Sequence, residues 1–348
     1  MRREVGMTDL VRVLIVDDSA YVRKVIRQML SRSPSIEIVG IARDGREALE
    51  LAAQLTPEVI TCDLIMPELD GVGFIREQMA RHPVPIVVVS VASESGELVL
   101  AALDAGAVDF VRKPTALATD RLLEIGDELV EKVKVAAGAR PAMSRAPAPP
   151  AVHPAAATHA FDIVVIGIST GGPQALKMLI PKLPAELAVP VAIVLHMPVG
   201  YTELYARKLN EQSAVTVLEA QGGEPVTPGH VYIAPAGRHL TLRRNGAGRV
   251  MTHLDVRPLD TPYKPSVDSL FHSAADVYGS RVLGIVMTGM GSDGREGSAW
   301  IKAKGGTVLT ESEASCVVYG MPRSIVEAGL SDGEVPLEQM ADAVLERV

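Results

Sequence analysis

Short apolar runs alternate with amphipathic segments through the first 135 residues, and this alternation restricts the possible folds more than any other feature. The apolar runs predict five strands, at 11–16, 36–42, 59–62, 86–89 and 109–111. Between and after them, apolar residues recur at helical spacing over 20–31, 45–55, 71–81, 97–105 and 120–135. Strict alternation of this kind predicts a doubly wound α/β domain with a parallel sheet.

Polar side chains follow four of these five strands. Asp17 and Asp18 follow the first strand, Asp63 the third, Ser90 the fourth and Lys113 the fifth. Because the carboxyl ends of parallel strands share one edge, we expect these side chains to converge. Three converging carboxylates repel one another unless a cation lies between them, and oxygen ligands suit Mg²⁺. One carboxylate can also accept a phosphoryl group, with the lysine and serine contacting its oxygens.

Each of these residues also has an ordinary structural explanation. Asp17 and Asp18 can cap the following helix, Asp63 and Ser90 can belong to turns, and Lys113 can be a solvated lysine. Their joint occurrence at four strand ends favours the shared site.

The same residues resemble the receiver domain of two-component response regulators. The resemblance is carried by Asp17-Asp18-Ser19, Asp63-Leu-Ile-Met-Pro-Glu-Leu-Asp-Gly, Ser90 and Phe110-Val-Arg-Lys-Pro. It implies a flavodoxin-like domain over 10–135 and phosphorylation of Asp63 by a partner histidine kinase. It also implies Mg²⁺ held by Asp18, Asp63 and the Ile65 carbonyl, beside Asp17.

Alanine and proline dominate the next segment, 136–160. Prolines at this density break helices, and few side chains there could form a core. We predict a semi-extended linker in which His153 and His159 are solvated.

The stretch 162–173 then reads Asp-Ile-Val-Val-Ile-Gly-Ile-Ser-Thr-Gly-Gly-Pro. It predicts a buried strand, a sharp turn carrying Ser169, and a helix whose first turn contains Pro173. Gly167-x-Ser169-x-Gly171 fits a nucleophile elbow. Glycine-rich turns of this type also bind phosphate or simply join a strand to a helix.

Further apolar and periodic segments predict a second, mainly parallel, Rossmann-like α/β sheet over 161–348. The remaining predicted strands are 189–195, 231–234, 240–243, 282–287 and 307–309, the 231–234 and 240–243 pair forming a hairpin. The predicted helices are 173–183, 202–210, 322–328, 336–347 and one starting near residue 293.

Ser169, His196 and Asp293 each lie at or just beyond the carboxyl end of a predicted core strand. A serine hydroxyl needs a base, an imidazole can supply it, and a carboxylate can orient that imidazole. Asp293 could instead cap the following helix, and His196 could hydrogen-bond to the backbone. Four other histidines could also be the base: His230, His239, His253 and His272.

This part of the chain resembles the catalytic domain of chemotaxis protein-glutamate methylesterases. The shared motifs are Gly167-Ile-Ser-Thr-Gly-Gly-Pro, His196-Met-Pro, Tyr232-Ile-Ala-Pro-Ala-Gly-Arg-His, Pro265-Ser-Val-Asp and Thr288-Gly-Met-Gly-Ser-Asp-Gly. The resemblance implies Ser169 as nucleophile, His196 as base and Asp293 as orienting acid. Ile168 stands where alanine is usual, and Lys264 where arginine is common.

Joined to the receiver, these motifs imply a phosphorylation-activated serine hydrolase that demethylates glutamate methyl esters on chemoreceptors and also deamidates glutamines there, giving sensory adaptation. We expect a cytoplasmic protein, not embedded in a membrane, with no cofactor in the catalytic domain. The net charge of −8 argues against a nucleic-acid partner, and two cysteines are too few for a disulfide framework. A nucleotide-binding module on the Ser169 turn is the competing hypothesis, but the turn lacks Gly-x-Gly-x-x-Gly.

Overall fold

The computed structural model describes residues 10–90, 96–113, 119–139 and 161–348, the side chains of 119–124 excepted. The chain divides into two compact units, Met1–Ser144 and Arg145–Val348. Residues 140–160 of the predicted linker, including His153 and His159, lie outside the described residues. Among the described residues, no helix combines the length and the apolarity needed to cross a bilayer.

The first unit contains a five-stranded parallel sheet in the order β2-β1-β3-β4-β5. Its elements in chain order are β1 (Val11–Val16), α1 (Ala20–Leu30), β2 (Ile36–Ala42), α2 (Gly45–Leu55), β3 (Val59–Cys62), α3 (Gly71–Arg81), β4 (Ile86–Ser90), α4 (Gly96–Asp104), β5 (Asp109–Arg112) and α5 (Thr119–Ala137). This is the flavodoxin-like order, and it confirms the fold predicted from the alternating pattern.

Side-chain caps fix where three of these helices begin. Ser19 accepts a hydrogen bond from the Val22 N–H at the start of α1. Asp44 and Asp70 likewise cap α2 and α3, accepting bonds from backbone N–H groups of their first turns. Such caps satisfy amide groups that have no partner inside the helix, so the helices begin just beyond the strand ends.

The second unit contains a seven-stranded sheet in the order β14-β13-β12-β6-β7-β9-β8, with every neighbouring pair parallel. Its elements are β6 (Ile163–Ile168), α6 (Gly172–Leu179), β7 (Val191–Leu195), α7 (Thr202–Glu211), β8 (Thr216–Glu219), β9 (His230–Ile233), β10 (His239–Arg244), β11 (Val250–Asp255), α8 (Val267–Tyr278), β12 (Val282–Val286), α9 (Arg295–Ala303), β13 (Thr307–Glu311), α10 (Met321–Glu327), β14 (Gly333–Val335) and α11 (Leu337–Leu345). The predicted second α/β sheet is therefore confirmed.

The predicted hairpin between 231–234 and 240–243 is wrong. Strand β9 lies in the main sheet, parallel to β7 and β8, whereas β10 pairs antiparallel with β11. The turn that joins β10 to β11 is closed by Asn245, whose side chain accepts bonds from the N–H groups of Ala247 and Arg249. An asparagine-based turn of this kind is a stronger hairpin signal than residues 235–239, which separate the two strands of the predicted hairpin.

The turn after β6 depends on Gly171. Its φ is +78°, and a Cβ placed there would lie 2.6 Å from Val317 Cγ2. Gly171 is the N-cap of α6, with Pro173 in the first turn as predicted. The positive φ and the close approach both exclude a side chain at this position.

We expect Gly171→Ala to lower the free energy of unfolding of the second unit by about 2 kcal/mol or more, since strain and a clash act together. Gly200→Ala is the matched control, because Gly200 has φ +98° but open space around its Cβ position. Urea denaturation followed by fluorescence of Trp300, the single tryptophan, reports on this unit. If both variants lost the same free energy of unfolding, the close approach to Val317 would not be a constraint on the turn.

Candidate active site

The sheet order brings three predicted site residues to neighbouring strand ends. Strands β12, β6 and β7 lie side by side. Ser169 directly follows β6, His196 directly follows β7, and Asp293 lies in the loop after β12. The His196 N–H donates to the Ile168 carbonyl over 3.1 Å, and the Ser169 N–H donates to the Thr288 carbonyl over 3.0 Å. These backbone bonds join the three loops at one edge of the sheet.

Gly289 lies against the nucleophile turn. A Cβ on Gly289 would lie 2.7 Å from Ser169 Cβ and 3.1 Å from Ser169 N. The turn is closed by the Gly172 N–H, which donates to the Ser169 carbonyl over 2.7 Å. Ser169 itself is half-buried. The absence of a side chain at Gly289 therefore leaves room for the serine beside the loop that carries Asp293.

His196 and Asp293 form a buried hydrogen bond. His196 Nε2 lies 2.9 Å from Asp293 Oδ2, and only 10% and 6% of these side chains is exposed. The Tyr263 ring stacks on the imidazole, with the ring centroids 4.4 Å apart and the planes at 12°. His196 Nδ1 is buried and has no hydrogen-bond partner among the described residues. If Nε2 carries the proton shared with the carboxylate, Nδ1 has the lone pair that a general base needs.

The first turn of α8 anchors Asp293. Its Oδ2 accepts from the Val267 N–H over 2.8 Å, and its Oδ1 accepts from the Asp268 N–H over 3.0 Å and from the Ser266 hydroxyl over 3.1 Å. Burial acts to raise the pKa of Asp293, but the bond to His196 and these N–H groups outweigh it, so the pKa is lowered. The carboxylate is therefore ionised at neutral pH.

Asp293 does not cap the helix that follows it, so that alternative is wrong. The N-cap of α9 is Gly294, which provides no side-chain bond. Asp268 supplies the acceptor instead: its Oδ1 accepts from the Gly294 N–H over 3.0 Å and from the Gly297 N–H over 2.6 Å. Burial, with the nearby Asp293 carboxylate, raises the pKa of Asp268 to about 6 against the opposing bond from Gly297.

Helix α8 was not predicted from the sequence, and neither were the roles of Ser266, Asp268 and Tyr263. A signal was present: a serine that can cap a helix is followed by apolar residues at 267, 270, 271, 274 and 275, the spacing of one helical face. In the structure Ser266 is the N-cap of α8, and these five residues are buried.

The other candidate histidines have different surroundings. His239 is buried and accepts from the Ser266 N–H at Nδ1, while its Nε2 lies 3.2 Å from the Pro258 carbonyl. His230 lies beside Thr227, His253 lies beside Asp255, and His272 stacks on Trp300. Among the candidates, His196 is the one that bonds to a buried carboxylate at the strand ends.

The first unit has its own cluster of charges at the strand ends. Lys113 Nζ lies 2.8 Å from Asp17 Oδ2 and 2.6 Å from Asp63 Oδ2. Carboxylate oxygens of Asp17, Asp18 and Asp63 lie within 4.8 Å of one another, Asp18 being exposed and the other two buried. Ser90 is buried, and its carbonyl accepts from the Lys113 N–H over 2.7 Å. The structure thus brings all five predicted residues of this unit to one edge.

The pKa values in this cluster follow from burial and from the lysine. Burial raises the pKa of Asp17 in spite of Lys113. Burial acts to lower the pKa of Lys113, but its bonds to Asp17 and Asp63 outweigh this effect, so the pKa is raised. An all-oxygen set that includes one exposed carboxylate is the donor chemistry that suits Mg²⁺, so these residues fit that ion.

Comparison with known proteins agrees with both sequence resemblances. The family model for the CheB methylesterase matches residues 164–344, and the model for the response regulator receiver domain matches residues 13–125. A protein-glutamate methylesterase/protein-glutamine glutaminase of Myxococcus xanthus is 53% identical over 337 residues, covering 95% of this chain and 96% of that protein. A relative of the same name from Symbiobacterium thermophilum is 43% identical and covers 97% of both chains.

The chain belongs to the CheB methylesterase family. The crystal structure of the Thermotoga maritima CheB methylesterase catalytic domain matches 54% of this chain and 99% of its own, with a TM-score of 0.53 and 42% identity. Both resemblances stated from the sequence, to receiver domains and to methylesterases, are therefore confirmed.

We expect the Asp268 carboxyl to make the stability of this CheB-family chain depend on pH. Its pKa in the folded state is about 6, above the usual 3.8. Its contribution to stability is therefore fully present below about pH 3.8 and is lost as the pH rises through about 6. Asp268→Asn removes the ionisation but keeps an acceptor oxygen. We expect its stability relative to wild type to improve between about pH 4.5 and about pH 7.5.

Urea denaturation at both pH values, followed by Trp300 fluorescence, measures this difference. Asp342→Asn is the control, because Asp342 is exposed on α11. If the Asp268→Asn difference did not change with pH, the buried carboxyl would not be a source of pH dependence.

Proposed function

We propose that this chain is a phosphorylation-activated serine hydrolase that demethylates glutamate methyl esters on chemoreceptors and deamidates glutamines there, giving sensory adaptation. The observation that carries the proposal is the His196–Asp293 hydrogen bond beside the Ser169 turn, with Nδ1 of the same imidazole buried and unpartnered among the described residues. The names of the relatives support the substrate class, since they are glutamate methylesterases and glutamine glutaminases.

In the proposed reaction, His196 Nδ1 takes the proton of Ser169 as Oγ attacks the carbonyl carbon of the ester. The imidazolium then gives this proton to the departing methoxide, and methanol leaves an acyl-enzyme on Ser169. Water, deprotonated by His196, attacks the acyl carbon; the bond to Ser169 Oγ then breaks, the imidazolium returns the proton to Oγ, and the glutamate side chain is released. With a glutamine side chain, ammonia leaves in the place of methanol.

Asp293 would keep Nε2 protonated, so that Nδ1 is the basic nitrogen. Because its pKa is lowered, the carboxylate stays charged at neutral pH and stabilises the imidazolium that forms in each step. The stacked Tyr263 ring limits rotation of the imidazole. Backbone N–H groups of the glycine-rich turns beside Ser169 would stabilise the oxyanion.

The first unit would regulate the hydrolase activity of the second unit. We propose domain boundaries at 10–135 for the receiver, 136–160 for the linker and 161–348 for the catalytic domain. Asp63 would accept a phosphoryl group from a histidine kinase, with Lys113 and Ser90 contacting its oxygens. Asp17, Asp18 and Asp63 would hold Mg²⁺, which when bound neutralises phosphoryl oxygens. A cytoplasmic enzyme would meet both the kinase and the cytoplasmic helices of the receptors.

Ser169→Ala should abolish methanol release from methylated receptors, because no other group would provide the attacking oxygen. We expect a loss of at least roughly 10³-fold. Methanol release from receptors carrying radiolabelled methyl groups measures the activity, and circular dichroism checks the fold. Ser280→Ala, at an exposed serine, serves as the control and should retain wild-type activity. Retained activity in Ser169→Ala would refute the assignment of the nucleophile.

Asp63→Asn should remove the response to phosphorylation while leaving the basal activity. In wild type, a small phosphodonor with Mg²⁺ should increase methanol release, and EDTA should prevent the increase. The variant should show no increase, because the amide cannot form an aspartyl phosphate. Asp127→Asn, at a largely exposed aspartate on α5, should respond as wild type does. A full response in Asp63→Asn would place the regulatory phosphorylation elsewhere.

A further inference from the structure

The first turns of α8 and α9 cap each other through two aspartates. Asp293, just before α9, accepts from the Val267 and Asp268 N–H groups at the start of α8. Asp268, in the first turn of α8, accepts from the Gly294 and Gly297 N–H groups at the start of α9. Each helix therefore uses a carboxylate from the other to satisfy amide groups that its own residues leave unpaired.

The two helices approach each other closely at these turns. A Cβ on Gly294 would lie 2.9 Å from Val267 Cγ1, and one on Gly297 would lie 2.5 Å from Phe271 Cβ. Gly294 is the residue next to Asp293, so the bond from its N–H to Asp268 fixes the backbone directly beside the carboxylate that meets His196. A shift of this turn would change the position of Asp293 relative to the imidazole.

We propose that Asp268 is a positioning residue for the reaction: its carboxyl oxygen holds the Gly294–Gly297 turn so that the Asp293 carboxylate meets His196 Nε2. The proposal rests on the proposed function, since it assigns Asp293 the role of orienting His196. The bonds described for Asp268 go to α9 and to Asp293 rather than to Ser169 or His196, so its effect on the reaction passes through Asp293. Positioning errors of this kind reduce turnover while leaving substrate binding intact.

The test is methanol release by the intact chain carrying substitutions at Asp268. Asp268→Ala removes the acceptor, and we expect kcat to fall roughly 10- to 100-fold with KM unchanged. Asp268→Asn retains an acceptor oxygen in the same place, and we expect it to restore kcat to near the wild-type value. Wild-type kcat in Asp268→Ala, or an Asp268→Asn variant as slow as the alanine variant, would overturn the proposal.

Asp276 offers a matched control on the same helix. Its Oδ1 accepts from Trp300 Nε1 over 2.9 Å and lies 3.2 Å from Lys304 Nζ, so it also joins α8 to α9 but near the C-terminal end of α8. Asp276→Ala should lower the thermal unfolding temperature without changing kcat. A fall in kcat equal to that of Asp268→Ala would show that any loosened α8–α9 contact has this effect, and would overturn the specific role.

A spectroscopic readout separates this inference from the proposed function. The imidazole proton between His196 and Asp293 should give a low-field ¹H NMR resonance, assigned by its loss in Asp293→Ala. It should persist in Asp268→Asn and be weakened or lost in folded Asp268→Ala, without any substrate present. Persistence in Asp268→Ala would overturn the positioning role even if the enzyme is a methylesterase. Retained activity in Ser169→Ala would instead refute the function alone.

If Asp268→Ala does not fold, Asp268→Glu tests the proposal instead. It keeps the charge but moves the acceptor by one methylene, so kcat should fall while KM stays unchanged. Wild-type kcat in this variant would overturn the proposal.

Discussion

The carboxylate of Asp293 is buried against the first turn of α8, and the geometry of the candidate site depends on the hydrogen bonds that hold it there. Burial alone would favour its neutral form, in which it would lose much of its effect on an imidazole. Two N–H groups and a hydroxyl from the first turn of α8, together with His196, supply four hydrogen bonds to its two oxygens. The carboxylate therefore stays charged and oriented.

The first unit stabilises its buried carboxylates by a different means. Asp17 and Asp63 share the ammonium group of Lys113. A lysine is a compact point charge on a flexible stem, so it can move from one oxygen to another more easily than a helix terminus can. This difference suits the two proposed roles: a site that changes its charge on phosphorylation, and a site whose geometry must stay fixed through repeated proton transfers.

Most of the strands and helices could be predicted from the sequence, because apolar periodicity and caps act locally. The boundaries of β1, β2, α2, β3 and α3 agree with the predicted ranges. The errors are of two kinds: one strand pairing that is not local, and elements that were not predicted, namely α8 and the strands β8, β11 and β14. Strand β9 was assigned to a hairpin because β10 follows it closely, whereas it lies in the parallel sheet beside β7. Helix α8 was missed although its apolar face is well marked, and Asp268 and Tyr263 were missed with it.

The sequence by itself determined which residue types stand at the strand ends, and hence that Ser169, His196 and Asp293 were candidates for one site. It also determined the order of strands and helices in the first unit, because short loops and alternating patterns leave few possible topologies. Only the tertiary structure decided what each polar group bonds to. The choice between Asp293 as a cap for α9 and as the partner of His196 depends on α8, whose first turn is about 25 residues away in sequence yet supplies its hydrogen bonds. Contacts at that separation depend on how the helices pack on the sheet, and local sequence patterns do not predict that packing.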